Sequence, residues 1–380
     1  MMTTNKEKLG IYIHIPFCQR KCNYCGFLSF VSKEEERASY VNALVEKIGK
    51  WSERVRNQYI VDTVFIGGGT PSLLNEREIK DIMSAIKNGF CLDADAEITI
   101  ESNPNSLTLE KLKCYLDNGI NRLSIGIQSL NQNILDTLGR IHSADEGKKA
   151  YYLAREAGFK NINLDLMFAI SGQTKEIFRN TLNEVIEMGP DHISFYSLQI
   201  EEGTKFYDDY KNEKYEFISD EIMNEMYLEA TDILKNARYD KYEISNAAKD
   251  GKVCRHNLKY WSMAPFLGIG LGASGYFQGV RYEETSDFQK WLKEDFPEGE
   301  KESIEDQMST YVITGMRRAK GISEDEFYNL YGKHLKDVYG PLIPYLKDQE
   351  KEGNLIFKDG VLKFTDKGML VSNDILCEFV

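Results

Sequence analysis

The stretch IYIHIPFCQRKCNYCGF, residues 11–27, decides how the rest of the 380-residue chain is read. Residues 11–15 read as a short strand, and Cys18-x3-Cys22-x2-Cys25 follows directly after it. The chain has seven cysteines, an odd number, and three of them crowd into these eight residues. In a reducing compartment such crowding reads as metal ligation rather than as disulfides. Thiolates are soft ligands that suit zinc or an iron–sulfur cluster. A structural zinc site normally closes on four ligands, and only three lie together here. Cys91, Cys114 and Cys254 stand alone, and Cys377 lies almost at the terminus. Three thiolates on a four-iron cluster leave one iron open to an outside ligand. Structural zinc and chance crowding are the other readings of the spacing.

Outward from this stretch, short β-rich runs alternate with longer helical runs through the first half of the chain. Strands are expected over 11–15, 63–66, 97–101, 122–127, 161–166 and 192–197. Helices are expected over 34–56, 76–88, 109–118, 144–157 and 175–188, with Gly89, Gly119 and Gly158 placed as C-caps. Six strands separated by helices imply parallel βαβ units. The fold class is therefore α/β, a partial (β/α)6 barrel whose site lies at the C-terminal strand ends. A doubly wound open sheet is the alternative. Beyond 201 comes a helix over 220–236 and then glycine-rich sequence without clear period. The charged stretch 288–304, with Pro297 and Gly299, reads as a linker. Residues 305–380 give three helices and then LIFKDGVLKFT with an Asp-Gly turn, the order of a winged-helix-like α+β unit. The expected domains are thus a barrel over 1–200, an extension packing on it over 201–287, the linker, and the C-terminal unit.

The strand ends carry the polar residues. Gly67-Gly68-Gly69-Thr70 ends the second strand, and glycines there let backbone N–H groups approach a ligand. Glu101 closes the third strand, Gln128 the fourth and Asp165 the fifth, where barrel sites are built. Arg140 is placed to pair with a carboxylate. For each residue singly, a helix cap or loop hydrogen bond is the plainer reading.

The composition is that of an ordinary globular protein, 42% hydrophobic and 12% aromatic. With 47 basic against 60 acidic residues, the net charge of −13 and the lack of a basic run speak against nucleic acid as a partner. No stretch approaches the ~20 apolar residues of a membrane span, and no signal segment opens the chain, so a cytoplasmic location is expected.

Residues 11–27 closely resemble the signature of radical S-adenosylmethionine enzymes. That resemblance implies a [4Fe–4S] cluster on Cys18, Cys22 and Cys25, whose open iron chelates the methionine part of S-adenosylmethionine. It places Gly68, Gly69, Thr70, Glu101, Gln128, Arg140 and Asp165 around that cofactor, flanked by Tyr12 and Tyr24. The runs GINRLSIGIQSL, GRIHSA, NINLDLM, YSLQIEEGT, YEISNAAK, CRHNLKYW and GLGASG sharpen it to the oxygen-independent coproporphyrinogen III oxidase family, and within it to the HemW subgroup of haem chaperones. The chain departs from the oxidases at Phe27, where they carry a fourth cysteine, and in lacking their longer N-terminal extension. Both departures match the chaperone subgroup. Oxidative decarboxylation of coproporphyrinogen III is the alternative function. In the subgroup an HNxxYW motif is associated with haem binding; here it is His256 to Trp261, preceded by Cys254. The resemblance makes His256 the axial haem ligand and implies delivery of haem to respiratory apo-proteins. The plain reading of the same residues is a buried, hydrogen-bonded histidine with Tyr260 and Trp261 as core.

Overall fold

In the computed structural model, which describes residues 6–380, six parallel strands lie side by side in chain order. They are β1 (Glu7–Ile15), β2 (Tyr59–Gly68), β3 (Leu92–Ser102), β4 (Arg122–Gln128), β5 (Ile162–Phe168) and β6 (His192–Ser197). Helices α1 (Glu34–Val55), α2 (Glu76–Gly89), α3 (Leu109–Asp117), α4 (Gln132–Leu138), α5 (Ala144–Ala157) and α6 (Lys175–Met188) connect them. A doubly wound sheet reverses its strand order at a switch point. Here the order runs 1-2-3-4-5-6 without reversal, so right-handed crossovers place every helix on one face. The result is a partial (β/α)6 barrel, as the alternation of the sequence predicts.

Local sequence sets these boundaries. Asn75 and Ser143 accept from the third helical N–H while Glu78 and Glu146 reach back, two complete capping boxes. Gly158 and Gly189 end their helices in the left-handed conformation. Gly89 does not cap as expected. It is the last helical residue of α2, with Phe90 after it, and a Cβ there would stand 2.8 Å from Ser52 of α1. Close packing of two helices, not chain reversal, explains that glycine.

The barrel remains open, and short strands extend both of its edges. After α7 (Lys205–Lys211) and α8 (Asp220–Asn236), β8 (Asn246–Ala248) pairs antiparallel with β6 and carries β7 (Asp240–Glu243) antiparallel at its outer edge. After α9 (Arg255–Trp261), β9 (Phe266–Ile269) pairs parallel with β1 and carries β10 (Ser274–Phe277) and β11 (Val280–Glu283) beyond it. The charged stretch read as a linker belongs to this edge. It holds α10 (Phe288–Trp291) and β12 (Gly299–Lys301), which pairs with β11 and completes a 12-stranded sheet. Trp291 is fully buried and stacks on Tyr40 of α1, ring centroids 4.9 Å apart. Trp291, with Phe288 beside it and Phe296 against Trp51 of α1, anchors a segment whose other residues are mostly polar.

The C-terminal unit comprises α11 (Ile304–Gly315), β13 (Ile322–Ser323), α12 (Glu324–Tyr331), α13 (Leu335–Val338), α14 (Ile343–Lys351), β14 (Leu355–Lys358) and β15 (Val361–Phe364), with α15 (Asp366–Leu370) and α16 (Ser372–Leu376) after them. Asp359 and Gly360 both take positive φ, the hairpin turn that the Asp-Gly pair predicts. The sheet order β13-β15-β14 gives the winged-helix-like layout. Among the described residues no helix is long and apolar enough to cross a membrane.

Candidate functional site

The loop after β1 is held at three points. Cys18 N–H donates to Phe30 O (3.0 Å) and Phe30 N–H to Pro16 O (2.9 Å), which closes the loop at its base. At its tip Asn23 N–H donates to Leu138 O (3.0 Å) and Asn23 Nδ2 to Thr137 O (2.9 Å), tying the loop to the end of α4. A third tie runs from Phe206 N–H to Asn23 O (2.9 Å). So fixed, Cys18, Cys22 and Cys25 line one cavity of about 450 Å³ above the C-terminal strand ends. Among the described residues no three His, Cys, Asp or Glu side chains form a group that could hold a single metal ion.

The same cavity is lined by Tyr24, Gly68, Gly69, Thr70, Glu101, Gln128, Arg140 and Asp165. A Cβ on Gly69 would stand 2.7 Å from Phe17 O and 3.0 Å from Cys18 Sγ, and Gly68 sits at φ +113° with His14 behind it. No other residue type allows β2 to end so close to the cysteine loop. Thr70 Oγ1 lies 3.6 Å from Cys18 Sγ. Arg140 donates to Cys22 Sγ (3.5 Å), Asn103 Oδ1 (2.7 Å) and Gly126 O (2.7 Å), while its Nε is buried without a partner. Three thiols lining one cavity, a guanidinium turned to one of them and a glycine-walled approach fit a thiolate-held cluster with a small charged cofactor beside it.

The carboxyls across the cavity are unsettled in charge. Glu101 accepts from Gly68 N–H at 3.0 Å, yet burial first and Asp165 second push it up to about 8. Burial also raises Asp165, against the bonds it accepts from Asn163 Nδ2 (2.7 Å) and Ser124 Oγ (3.1 Å). Groups of this kind favour ligands that bring hydroxyl or ammonium donors. Gln128 holds φ +67° at the end of β4, where the register against β5 slips, and accepts from Tyr196 Oη at 3.0 Å. A non-glycine residue in that conformation is strained, and such strain gathers at functional sites.

Two expected residues stand apart. Tyr12 does not line the cysteine cavity; its Oη lies 2.9 Å from His14 Nδ1, and His14 Nε2 donates to Leu28 O at 3.0 Å. His256 is fully buried beneath the site. Its Nδ1 lies 2.9 Å from Thr63 Oγ1, its Nε2 lies 2.9 Å from Tyr260 Oη, and its ring stacks on Phe65. Burial, then the nearby Lys259 and Arg122, hold it neutral, at about 3. Axial ligation from this position does not follow. Either nitrogen must first give up a hydrogen bond and then leave the core.

The motif nevertheless reaches a cavity through its aromatic end. Tyr260 and Trp261, with Tyr12, His14, Phe27, Met263, Phe266 and Tyr276, line a mainly apolar space of about 430 Å³. A third cavity of about 300 Å³ shares Tyr12, Phe27 and Tyr260 with it, and Gly68, Glu101, Asp165 and Asn257 with the cysteine cavity. Phe27, 68% exposed, stands where the three meet. Sequence reasoning passed over Asn103, which donates to Thr70 Oγ1 (3.1 Å) and accepts from Arg140, so that it links two strand ends. Its place two residues after Glu101 was the available signal. Tyr196 of β6 also lines the cysteine cavity, and Asn257, named only as a member of the HNxxYW motif, joins it from the extension.

Residues 12–185 match the model of the radical SAM superfamily, and 303–371 that of the HemN C-terminal domain. The chain is 32% identical to the heme chaperone HemW of Bacillus subtilis, over 97% of this chain and 98% of the relative. It is 35% identical to the heme chaperone HemW of Haemophilus influenzae, over 97% of each. It belongs to the HemW family. The fold of this HemW-family chain also superposes on the coproporphyrinogen III oxidase HemN of Escherichia coli, with a TM-score of 0.85. That match covers 98% of this chain and 90% of the other at 23% identity, a likeness of fold.

Proposed function

We propose that this chain is a haem chaperone that holds a [4Fe–4S] cluster on Cys18, Cys22 and Cys25, and S-adenosylmethionine beside it. Haem would lie in the adjoining aromatic cavity and pass to respiratory apo-proteins. The observation that carries the reading is the continuity of the cysteine cavity with a space walled by Tyr260, Trp261, Phe266 and Tyr276. A flat apolar ring fits such walls by stacking. The names of the HemW relatives point the same way.

In this reading Gly68, Gly69 and Thr70 give the cofactor its backbone approach. Glu101 and Asp165 accept from its donors, and Arg140 holds Cys22 and the loop of Asn103 in register. When bound, the cluster supplies the single electron of radical chemistry. The domain division into a barrel, an extension and a C-terminal unit, and a cytoplasmic location, belong to the same proposal. Nucleic acid has no place in it.

Phe27 in place of the oxidase's fourth cysteine argues for carriage rather than decarboxylation. The test is anaerobic incubation of the reconstituted protein with coproporphyrinogen III, alongside a haem titration. Haem binding near one per chain without protoporphyrinogen supports the proposal. Steady decarboxylation overturns it.

A further inference from the structure

Arg122 opens β4 at the base of the barrel interior, 2% exposed. Its Nε is buried without a hydrogen-bond partner, and burial, which disfavours the charge, is countered by Cys254, Glu97, Tyr242 and Asp165 around it. The carboxylates that act on it do so from a distance and are engaged elsewhere. Glu97 accepts from the N–H groups of Arg255 (3.0 Å) and His256 (3.1 Å) and from Cys254 Sγ (3.7 Å). Asp165 accepts from Ser124 and Asn163. A buried cation without a contacting anion is costly, and a planar guanidinium fork matches one ligand above others, a carboxylate.

Arg122 lines the third cavity together with Ser124, Asn163, Ser194 and Tyr260. That space opens into the aromatic cavity past Tyr12, Phe27 and Tyr260. We propose that Arg122 binds a carboxylate, borne on a short arm by the ligand whose apolar body fills the aromatic cavity. The identity of that ligand rests on the haem reading above, in which the arm is a propionate. Glu101 and Asp165 on the same walls favour a monoanion over phosphate. A free small carboxylate offers the same chemistry, so the test separates the two sources.

The experiment titrates the full-length protein with haem and with haem dimethyl ester, for wild type, Arg122→Met and Arg122→Lys. Wild type should bind haem at least about tenfold more tightly than the diester, the weight of one charge-assisted pair. Arg122→Met should lose that preference while its diester affinity stays unchanged, which also shows that the variant is folded. Arg122→Lys, which keeps the charge and loses the fork, should fall between. Should Arg122→Met not fold, the lysine variant alone decides. Acetate that competes with haem in wild type supports the site and its source. Acetate that raises the melting temperature of wild type but not of Arg122→Met, with no preference for haem over diester, keeps the carboxylate site but overturns the ligand-borne arm. Equal weakening of haem and diester, or of neither, overturns the proposal. Failure of wild type to bind haem sinks the haem reading, and the acetate arm then still tests Arg122.

Discussion

Replacing Glu101 by Gln should stabilise the metal-free protein at alkaline pH and leave it nearly unchanged at acid pH. The carboxyl has a usual value of 4.5 and stands at about 8 in the folded chain. Folding therefore prefers its protonated form. Below 4.5 both states are protonated and the group contributes nothing to pH dependence. As pH rises from 4.5 towards 8, the unfolded chain ionises first and the folded state is progressively destabilised. The full difference amounts to at most ~5 kcal/mol. One side of the carboxyl faces the cavity, where solvent screens it, so about 2–3 kcal/mol is the reasonable expectation. Gln keeps an oxygen for Gly68 N–H and removes the charge, so the local geometry is retained.

Urea unfolding of the reduced, metal-free protein at pH 5.5 and at pH 8.5 measures the effect. The stability difference between Glu101→Gln and wild type should widen by about 2 kcal/mol between the two conditions. A difference that stays constant within ~0.5 kcal/mol would falsify the assignment of a raised carboxyl at this strand end. Because several units of structure contribute, the comparison uses shifts in midpoint at matched slopes.

The other expected outcomes follow from the same geometry. Anaerobic reconstitution should give about four irons per chain, and Ala at Cys18, Cys22 or Cys25 should abolish it. Ala at Cys91, Cys114 or Cys377 should leave the iron content unchanged; a requirement for any of these would replace the three-thiolate site. Glu101→Ala and Asp165→Ala should each weaken S-adenosylmethionine binding by ~1–3 kcal/mol with the cluster spectrum intact, and calorimetry showing no change in either would remove them from the site. His256→Ala should cost ~2–4 kcal/mol of stability, since it leaves a buried gap and unpairs Thr63 and Tyr260. Its haem spectrum should keep the wild-type band position, and a shifted band would restore the histidine as a ligand.

Much of the barrel could be read in advance, because each of its elements carries its own signal. The strands 122–127 and 192–197 were placed within a residue of their observed limits, and the capping boxes at Asn75 and Ser143 mark helix starts in the sequence itself. The strands of the extension were not legible. Runs of three or four residues such as β8 and β12 are too short to show a period. The seven-residue α4 was missed for the same reason, although its C-cap Gly139 lies against Asn23 and thereby positions the cysteine loop. At the site, residue type and strand-end position told which polar side chains gather around one cavity. They could not tell that Tyr12 turns to His14, because an alternating strand gives the face and not the neighbour.

In the HNxxYW segment, tertiary contacts give the residues of one motif different surroundings. Its helix α9 is only seven residues long and unstable alone, so tertiary contacts must hold it. Glu97 of β3 caps its first N–H groups, His256 bonds Thr63 of β2, and Lys259 pairs with Asp62 of β2 at 2.7 Å, both side chains nearly buried. These three contacts clip the extension onto the barrel floor. With that side of the helix fixed, Asn257, Tyr260 and Trp261 are turned to the cavity walls. In the proposed reading the ligand role of the motif belongs to its aromatic end, and the histidine serves by holding Tyr260 through its hydroxyl. On this account His256→Ala and Trp261→Ala part ways: the first should lower stability more than haem affinity, the second haem affinity more than stability. A pair of variants that fell together in both measurements would show that clip and wall are not separate functions of the helix.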